Sequence, residues 1–460
     1  LQRQGVSCEL WEQAPALTEV GAGIQMGPNV TRILNAWGLT DALRAVAVQP
    51  AALVSCDAIS GRELGRLPLH DMAQRHGAPY LTLHRADLQS LLQAAIDPAR
   101  VTMHLNRKMT RVQMSEGRLR VSDAAQQSVQ PQLLVGADGL WSQVRAEVWQ
   151  DGEAQPTGHW AYRSLLPMGL LPKRWREPVV QVWMAPGLHA VHYPVRRGEW
   201  LNVVVLVEST DPSNQPGWDV ARSPDAIQAD VMRAMRGLCH ELHDVLRPVE
   251  QWRAWSLFAR PSLRDANDMA RGPVALLGDA VHPMLPYLAQ GAGMAIEDAQ
   301  VLAQCLLIQP NAPEDALQDY AQRRWARNAR VQNAARRNGR IFHAQGLMAW
   351  ARNTALRMAA PQLMDQPWLY ARSASLTAGL AAVAFACFAF GWIGGGTVTL
   401  LASLGEDIEG MDIIPLGATF GSYAGQLMVG SEASGTIRAL SPAGVVQQIA
   451  TVPGAEQVSY

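Results

Sequence analysis

Residues 272–307 read GPVALLGDAVHPMLPYLAQGAGMAIEDAQVLAQCLL, and this stretch decides the fold. Val274–Leu277 is a short apolar run typical of a buried strand, and Gly278 with Asp279 ends it. After a proline-rich loop, the small residues Gly291–Gly293 open a helix. A carboxylate at a strand end can bond the hydroxyls of a sugar-like chain, and backbone N–H groups at a glycine-rich helix start stabilise negative charge. The stretch therefore predicts a strand–loop–helix unit that binds a ligand with both features.

The first fifteen residues, LQRQGVSCELWEQAP, predict a helix end, a strand and an acidic strand end. Gly5 is a typical stop for a helix that ends at Gln4, and apolar and polar residues alternate from Val6 to Trp11. In a dinucleotide-binding βαβ unit, a carboxylate at the end of the second strand binds the adenosine ribose, roughly 20 residues after a glycine-rich phosphate loop. If Glu12 is that carboxylate, we expect the chain to begin inside the unit, without its first strand and G-x-G-x-x-G. The alternative is a solvated Glu at a strand end.

The composition excludes several classes of protein. With 460 residues the chain can bury two or three domain-sized cores. A formal net charge of −1 argues against a general nucleic-acid-binding protein. The five cysteines include no C-x-x-C pair, which excludes a disulfide framework or a cysteine zinc site and fits a reducing cytoplasm. No metal site is predicted.

The chain changes texture along its length and predicts an α/β (α+β) architecture. Strands and helices alternate first, β-branched and aromatic runs such as EWLNVVVLVE follow, and helices dominate after them. The predicted boundaries are 1–150 for an α/β domain, 151–255 for a β-rich domain, 256–310 for a return to the α/β domain through the Gly-Asp stretch, 311–372 for C-terminal helices, 373–402 for an apolar segment and 403–460 for a β-rich fragment.

The last quarter differs from the rest. No charged residue lies between Arg372 and Glu406, and the apolar run 376–402 is long enough to cross a bilayer. Two interpretations stay open: a membrane-spanning helix that leaves the large N-terminal part cytoplasmic, or a buried apolar hairpin broken at Gly394–Gly396. Residues 403–460 resemble one blade of a β-propeller, which cannot bury its own faces alone and is expected to be an unrelated extension.

Four motifs in order resemble the class A flavoprotein aromatic hydroxylases, and among these the salicylate, hydroxybenzoate and hydroxynicotinate hydroxylases. They are GAGIQMGPNVTRILNAWGL at 21–39, LHRADLQSLL at 83–92, LLVGADGLWSQVR at 133–145 and the Gly-Asp stretch. The resemblance covers about residues 1–372. It implies a Rossmann-like FAD-binding domain with a β-sheet substrate domain and C-terminal helices. It also implies an FAD-dependent monooxygenase that uses NADH or NADPH and O2 to hydroxylate a small aromatic acid or phenol through a flavin hydroperoxide.

The same resemblance implies a set of cofactor contacts. They are Glu12 on the adenosine ribose, Arg85 on the ribityl-pyrophosphate region, Asp279 on the ribityl hydroxyls, Gly291 and Ala292 facing the isoalloxazine, and Ala22 and Gly23 approaching the flavin by backbone. Asp138, in the Asp-Gly element, has two open interpretations: it organises the FAD and NAD(P)H region, or it stabilises a turn.

The stretch GLHAVHYPV at 187–195 supplies the predicted substrate contacts. Period-2 alternation places His189 and Tyr193 on one face of a strand and His192 on the other. In the hydroxynicotinate hydroxylases a His-x-x-x-Tyr pair on this strand lines the ring pocket and the Tyr serves as base, so the resemblance makes Tyr193 the predicted base and His189 its partner. A purely structural pair is the open alternative. Gln25 and His192 are further substrate candidates, and Tyr287 stands where those relatives carry a His.

An arginine-rich helix is predicted at residues 323–340, which hold seven Arg. It is either a patch for RNA or anionic lipid, or a solvated or dimer-facing helix, which the near-neutral chain favours. The predicted partners are a small aromatic substrate, O2 and NAD(P)H, and nucleic acid is not among them. A homodimer is predicted, as is membrane contact through 376–402. The predicted location is the cytoplasm, with inner-membrane association if that segment spans.

A function of a different class stays open beside the enzyme. The unrepresented phosphate loop and the apolar C-terminal segment also suit a non-catalytic, membrane-tethered binding protein, or an inactive fragment of such an enzyme.

Overall fold

The computed structural model describes residues 1–17, 22–115, 117–208 and 223–370, together with four strands between residues 410 and 451. The chain divides into two compact units, one of Leu1–Glu63 with Pro68–Gln345 and one of Leu64–Leu67 with Gly346–Tyr460.

The strands and helices follow the expected alternation. The strands are β1 (Cys8–Trp11), β2 (Gly23–Met26), β3 (Ala52–Asp57), β4 (Glu63–Pro68), β5 (Leu81–His84), β6 (Val101–His104), β7 (Met109–Ser115), β8 (Arg118–Asp123), β9 (Ser128–Val129), β10 (Leu134–Gly136), β11 (Gln155–Pro167), β12 (Val179–Ala185), β13 (Leu188–Val195), β14 (Trp200–Glu208), β15 (Arg253–Ala259), β16 (Ala270–Arg271), β17 (Val274–Leu276), β18 (Gly410–Ile413), β19 (Leu427–Ser431), β20 (Thr436–Leu440) and β21 (Val446–Thr451). The helices are α1 (Pro28–Ala36), α2 (Thr40–Val46), α3 (Met72–His76), α4 (Arg85–Ala94), α5 (Gln143–Val148), α6 (Pro224–Ala234), α7 (His240–Leu246), α8 (Gly291–Ile308), α9 (Pro313–Phe342), α10 (Gly346–Met364) and α11 (Pro367–Tyr370).

Parallel strand pairs build the α/β part of the first unit. β1 pairs in parallel with β6, and β10 pairs in parallel with β17. Gly5 ends the first short helix in the left-handed conformation, with φ 79°, as the sequence predicts. Helices α8 and α9 pack on each other and cover β17 with an apolar core that includes Leu276, Leu302 and Tyr320. The predicted α/β class is confirmed.

A second, larger sheet forms the β-rich part of the first unit. Its strands run in the order β15-β11-β14-β13-β12-β3, antiparallel except for the parallel pair β12 and β3. One face packs against α6 and α7 in a core that includes Trp160, Trp183 and Val203. The other face carries Ala161 and Leu206 and packs beside Tyr287 of the proline-rich loop. This second face, called the loop-facing face below, carries the predicted pair His189 and Tyr193.

The arginine-rich helix is partly buried. Arg324 of α9 is 4% exposed and donates to Glu297 at 2.8 Å and to Asp298 at 2.7 Å, both on α8. His282 also bonds Asp298, at 2.5 Å, so a buried ion network holds α9, α8 and the proline-rich loop together. The expectation of a solvated helix is therefore wrong for Arg324. This side chain is buried, and its charge is paired with the carboxylates of Glu297 and Asp298 and not with water.

The second unit contains helices and a small sheet. α10 has a non-helical residue at Ala359 and a proline at position 361. β18–β21 form a four-stranded antiparallel meander, the arrangement of one propeller blade. The blade assignment stays a prediction, as do the domain boundaries. Residues 376–402 lie outside the described residues, and among the helices that the structure does describe, none combines the length and apolarity needed to span a membrane.

Candidate active site

The Gly-Asp loop turns sharply so that one carboxylate points away from the core. β17 is followed by Gly278, whose φ of 62° is the left-handed conformation that favours glycine, and a Cβ there would lie 3.0 Å from Ala295. The next residue, Asp279, is exposed. His282, by contrast, is fully buried and hydrogen-bonded to Asp298. Surrounding protein desolvates the Asp279 carboxyl and raises its pKa, and the nearby charges of His282 and Arg85 oppose that shift. The charge of Arg85 thus acts on the predicted Asp279.

The N-terminus of α8 opens beside this carboxylate. Among the described residues no side chain caps this helix start, and the first helical bond runs from Met294 N–H to Gln290 O at 2.8 Å. The preceding N–H groups therefore point outward with the positive end of the helix. A Cβ at Gly291 would meet one described atom within 4 Å, Asp279 Oδ1 at 3.8 Å. A carboxylate for hydroxyls, free N–H groups for negative charge and a nearby guanidinium fit the ribityl chain and ring of FAD.

Ala22 and Gly23, where the chain enters β2, are held by their backbone. Arg85 N–H donates to Ala22 O at 2.7 Å, and Gly23 N–H donates to Asn202 Oδ1 of β14 at 2.7 Å. A Cβ at Gly23 would lie 2.6 Å from both Asn202 and the Tyr193 ring. The predicted flavin loop and the predicted substrate strand β13 therefore touch at this point.

Tyr193 is buried among polar partners. Gln25 donates a hydrogen bond to its hydroxyl oxygen, and Oε1 of Gln25 accepts from the Tyr80 hydroxyl at 2.7 Å. Arg163 of β11 shares the loop-facing face, with its guanidinium 4.9 Å above the Trp255 ring. Burial raises the pKa of Tyr193 to about 12, and the Arg163 charge and the Gln25 bond oppose this shift. The hydroxyl is thus protonated at neutral pH and can donate one hydrogen bond.

His189 lies on the same face of β13 and bonds to a side chain far away in sequence. Its Nδ1 is 2.8 Å from Nε2 of His343, and Nδ1 of His343 is 2.9 Å from Oε1 of Glu208. The His189 ring packs 5.1 Å from Tyr287, whose hydroxyl bonds His159. Burial, with the two neighbouring histidines, holds the pKa of His189 well below its usual range, so the ring is neutral.

His192 lies on the opposite face of β13. Its Nε2 accepts from Trp183 Nε1 at 3.1 Å, within the core that α6 and α7 cover. Burial lowers its pKa to about 4. This position, set by strand alternation, argues against the predicted substrate contact.

Glu12 and Asp138 lie where the sequence expects, with local partners. Glu12 follows β1 directly, and its Oε1 accepts from Ala14 N–H at 2.7 Å. Asp138 accepts from the Ser142 hydroxyl at 2.6 Å and from Gln143 N–H at 2.7 Å, at the start of α5. For Asp138 these contacts favour the turn-stabilising interpretation.

Several side chains of the site were not predicted from the sequence. They are Arg163, Asn202, His159, Glu208 and His343. For Arg163 a signal existed, because a cation inside the strand HWAYRSLLP interrupts an apolar face. The ligand atoms of His159, Glu208 and His343 lie within 4.8 Å of one another, a spacing that can hold a metal ion and that has no counterpart in any local motif.

Comparison with known proteins identifies the family and the fold. A family model described as an FAD binding domain matches residues 1–335. 3-Hydroxybenzoate 6-hydroxylase of Polaromonas naphthalenivorans (strain CJ2) is 35% identical over 374 residues, which are 80% of this chain and 91% of that protein. 6-Hydroxynicotinate 3-monooxygenase of Bordetella bronchiseptica is 33% identical over 345 residues, 74% of this chain and 86% of that one. A solved salicylate hydroxylase substrate complex has a similar fold, with a TM-score of 0.65, 22% identity, and coverage of 79% of this chain and 90% of the other.

The family match and the curated relatives show that the chain is an FAD-dependent aromatic monooxygenase. The chain belongs to the FAD binding domain family, and within it to the class A aromatic hydroxylases. It is an oxidoreductase with FAD as cofactor and NAD(P)H as co-substrate, and the comparisons support this function and not the non-catalytic alternative.

Proposed function

We propose that the substrate is a small hydroxylated aromatic acid that spans from Tyr193 to His189 on the loop-facing face of the sheet. The contact of Gly23 with Tyr193 carries this proposal, because it joins the loop assigned to the flavin to the strand that bears both side chains. 3-Hydroxybenzoate 6-hydroxylase and 6-hydroxynicotinate 3-monooxygenase, by their names, act on rings of this kind.

The two ends of this site offer opposite hydrogen-bonding chemistry. At one end, Tyr193 is protonated and Arg163 is a cation, so that end supplies donors and positive charge, which suit a carboxylate. At the other end, His189 is neutral and keeps one ring nitrogen as an acceptor, which suits a ring hydroxyl. A hydroxylated acid satisfies both ends, and a plain phenol satisfies one.

The spacing of the two ends fits one substituted ring. Residues four apart on a strand are roughly 13 Å apart, and a hydrogen bond at each end leaves roughly 7 Å, room for a benzene ring with a polar substituent on either side. Gln25 and Tyr287 would border the ring at the Tyr193 end and the His189 end respectively.

The proton acceptor in this arrangement is His189. The sequence hypothesis named Tyr193 as the base, but a phenol with a pKa of about 12 holds its proton at neutral pH. Tyr193 instead donates to the substrate and fixes its orientation. Deprotonating the ring hydroxyl raises the electron density of the ring, which favours electrophilic hydroxylation.

The proposed cofactor contacts centre on Asp279, which is supported by Gly291 beside it and by the charge of Arg85. Asp279 would hold the ribityl hydroxyls, Gly291 and Ala292 the ring and Arg85 the pyrophosphate side, with Ala22, Gly23 and Glu12 in the roles predicted from sequence, while Asp138 stabilises the start of α5. FAD supplies the activation of O2 when it is bound, with electrons from NAD(P)H. A homodimer and a cytoplasmic location belong to the same proposal, testable by gel filtration and cell fractionation.

A substrate panel tests the proposed function. The protein with added FAD is incubated with NADH or NADPH, O2 and either hydroxybenzoates or the matching phenols that lack the carboxylate, and hydroxylated product is measured per NAD(P)H consumed. We expect product from one or more acids and a much higher KM for the matching phenols. Equal use of acids and phenols would contradict the proposed orientation, and no hydroxylated product from any aromatic acid would contradict the substrate class.

A further inference from the structure

Two histidines and one carboxylate from three separate elements meet at one end of the larger sheet. They are His159 of β11, Glu208, the last residue of β14, and His343, just after α9. One ligand atom of each, a ring nitrogen or a carboxylate oxygen, lies within 4.8 Å of the other two. In the described part of the chain, no further group of three histidine, cysteine or acidic side chains meets this condition. We call these three residues the three-ligand cluster.

The backbone places all three side chains of the cluster. His159 and Glu208 lie directly opposite each other in the antiparallel pair of β11 and β14, and opposite residues of such a pair have Cβ atoms about 5 Å apart. Gly187 N–H donates to His343 O at 3.2 Å, and Glu208 N–H donates to Gly187 O at 2.8 Å. The turn between β12 and β13 thus holds the end of α9 beside the end of β14. The fold therefore assembles the cluster without help from a ligand.

Each histidine of the cluster has one ring nitrogen held from behind. Nε2 of His343 is 2.8 Å from Nδ1 of His189, and Nδ1 of His343 is 2.9 Å from Oε1 of Glu208. The Tyr287 hydroxyl bonds Nδ1 of His159, which leaves Nε2 of that ring for a metal ion. A histidine that binds a metal through one nitrogen is almost always oriented by a hydrogen bond to the other. Both rings of the cluster have that arrangement.

The cluster combines burial with a route to solvent. The side chain of His343 is 1% exposed, whereas that of Glu208 is 48% exposed. The exposed carboxylate gives an ion an entry path and leaves a coordination position open to water. Ligand identity, orienting hydrogen bonds and access are thus all present.

The donor atoms select the class of metal. Two imidazole nitrogens and one carboxylate oxygen suit Zn²⁺, whereas Mg²⁺ and Ca²⁺ prefer sites made of oxygen ligands. In a tetrahedral zinc site with bonds of about 2.0–2.2 Å, the ligand atoms lie roughly 3.3 Å apart. The atoms of the cluster, within 4.8 Å of one another, would approach by at most about 1.5 Å, and the half-exposed Glu208 side chain is free to adjust.

We propose that the three-ligand cluster binds one Zn²⁺ ion through Nε2 of His159, a carboxylate oxygen of Glu208 and Nδ1 of His343, with water as the fourth ligand. The ion takes the place of the hydrogen bond between His343 and Glu208. It joins β11, β14 and the end of α9, and it is separate from the residues proposed to hold FAD.

Zinc at this site also acts on His189. A metal ion on Nδ1 of His343 leaves the proton of that ring on Nε2, which then donates to Nδ1 of His189. His189 then carries its own proton on Nε2, where the proposed function needs an acceptor for the substrate hydroxyl. Bound Zn²⁺ should therefore inhibit hydroxylation. This consequence, unlike the binding itself, rests on the proposed function.

A titration with the metal alone tests the site. The FAD-containing protein is freed of metal with a chelator and titrated by calorimetry with Zn²⁺ and, separately, with Mg²⁺, and no substrate is present. We expect one tightly bound Zn²⁺ ion per chain and no competition from Mg²⁺. X-ray absorption at the zinc edge then identifies the ligands, which should include two imidazoles and no sulfur.

Substitution of the ligands should weaken the binding of Zn²⁺. His159→Gln, Glu208→Gln and His343→Gln each remove one ligand atom and keep a polar side chain, and each should lower the affinity by about tenfold or more. Glu208→His replaces the carboxylate with a third imidazole, which zinc also accepts, and should keep the affinity within about tenfold of the original chain. A merely structural role of Glu208 does not predict this rescue.

His104→Gln is the matched control. Nε2 of His104 lies 3.5 Å from Oε2 of Glu9, so this partly exposed pair also offers an imidazole and a carboxylate but has no third ligand. The variant should leave the affinity for Zn²⁺ unchanged. All variants are compared at equal FAD content, measured by flavin absorbance. Glu208→Gln alters a half-exposed side chain, so it keeps the test decisive if a histidine variant does not fold.

Three results would each overturn the site. They are the absence of tight Zn²⁺ binding, a sulfur ligand at the zinc edge, and equal affinity for Zn²⁺ in Glu208→Gln and the original chain.

Inhibition is tested in a separate assay. Product from a hydroxybenzoate is measured with and without Zn²⁺, and Glu208→Gln should need about tenfold more zinc for the same fractional loss. Full activity of the zinc-bound chain would overturn the inhibition and leave the site in place. If the metal-free chain hydroxylates no aromatic acid, the proposed function fails, and the binding result is unaffected.

Discussion

Gly23 lies so close to Tyr193 that a Cβ on the glycine would be 2.6 Å from Cε2 of the tyrosine ring. Gly23 is the first residue of β2 and is expected to approach the flavin by its backbone, and Tyr193 belongs to the strand expected to border the substrate. In the proposed arrangement this contact sets how closely cofactor and substrate can approach, and glycine is the residue that permits it.

Gly23→Ala should disturb both the fold and the site. The added methyl group cannot fit without moving Tyr193 or Asn202, and overpacking of this kind costs about 1–3 kcal/mol. The temperature of thermal unfolding and the affinity for aromatic acids should both fall. Gly169→Ala is the matched control, since no described atom lies within 4 Å of its added Cβ. Equal behaviour of the two variants would contradict the close contact.

Tyr193→Phe should weaken the binding of acids selectively. The change keeps the ring and removes a donor to the substrate carboxylate, and hydrogen bonds to charged groups are worth roughly 1.5–3 kcal/mol, which is about 10- to 100-fold in affinity. Binding is measured by flavin absorbance difference spectra for a hydroxybenzoate and for the phenol without the carboxylate. The phenol serves as the control ligand, and an equal loss for both ligands would argue against the orientation.

Asp279→Ala should weaken FAD binding. The variant removes charge-assisted bonds to the ribityl hydroxyls, each worth roughly 1.5–3 kcal/mol. A fluorescence titration with FAD gives the affinity, and Glu177→Ala, an exposed carboxylate elsewhere, is the control. Unchanged FAD affinity in Asp279→Ala would refute the assignment.

Arg324→Gln should destabilise the first unit strongly. Removing the guanidinium leaves Glu297 and Asp298 buried without their cation, and breaking a buried pair costs about 3–5 kcal/mol. The neighbouring Arg323→Gln breaks an exposed pair with Asp319 and should change stability little. Chemical denaturation of both variants makes the comparison, and similar losses in the two would show that the network contributes nothing specific.

His192→Gln should reduce the dependence of the free energy of unfolding on pH under acidic conditions. The pKa of His192 is about 4 in the fold and near 6.5 in an unfolded chain. Between these values the unfolded chain binds the proton and the folded one does not, so the free energy of unfolding falls as pH falls, by up to about 1.4 kcal/mol per unit. Glutamine keeps an acceptor for Trp183 and does not titrate. Denaturation at pH 4 to 7 should show a smaller slope for His192→Gln, and parallel curves would contradict the buried neutral histidine.

Local sequence determined the elements and their faces. The run from β17 through Gly278 and Asp279 into α8 is readable because apolar strands, glycine turns and helix starts depend on neighbours in sequence. Strand alternation separates His189 and Tyr193 from His192 for the same reason. The order of the four motifs predicted the family, and the comparisons confirm it.

Tertiary structure alone decided which side chains meet. His343 lies 154 residues from His189, and Arg324 lies 26 residues from Asp298, so no window of sequence contains either contact. The favoured interpretation of a solvated arginine helix failed at Arg324, because burial depends on what packs against a helix and not on the helix itself. Periodicity reports which face of an element is apolar, but the partner of a polar side chain is set by the packing of distant elements. Strand alternation therefore predicts which face of β13 carries His189, whereas the contact of His189 with His343 depends on the tertiary structure.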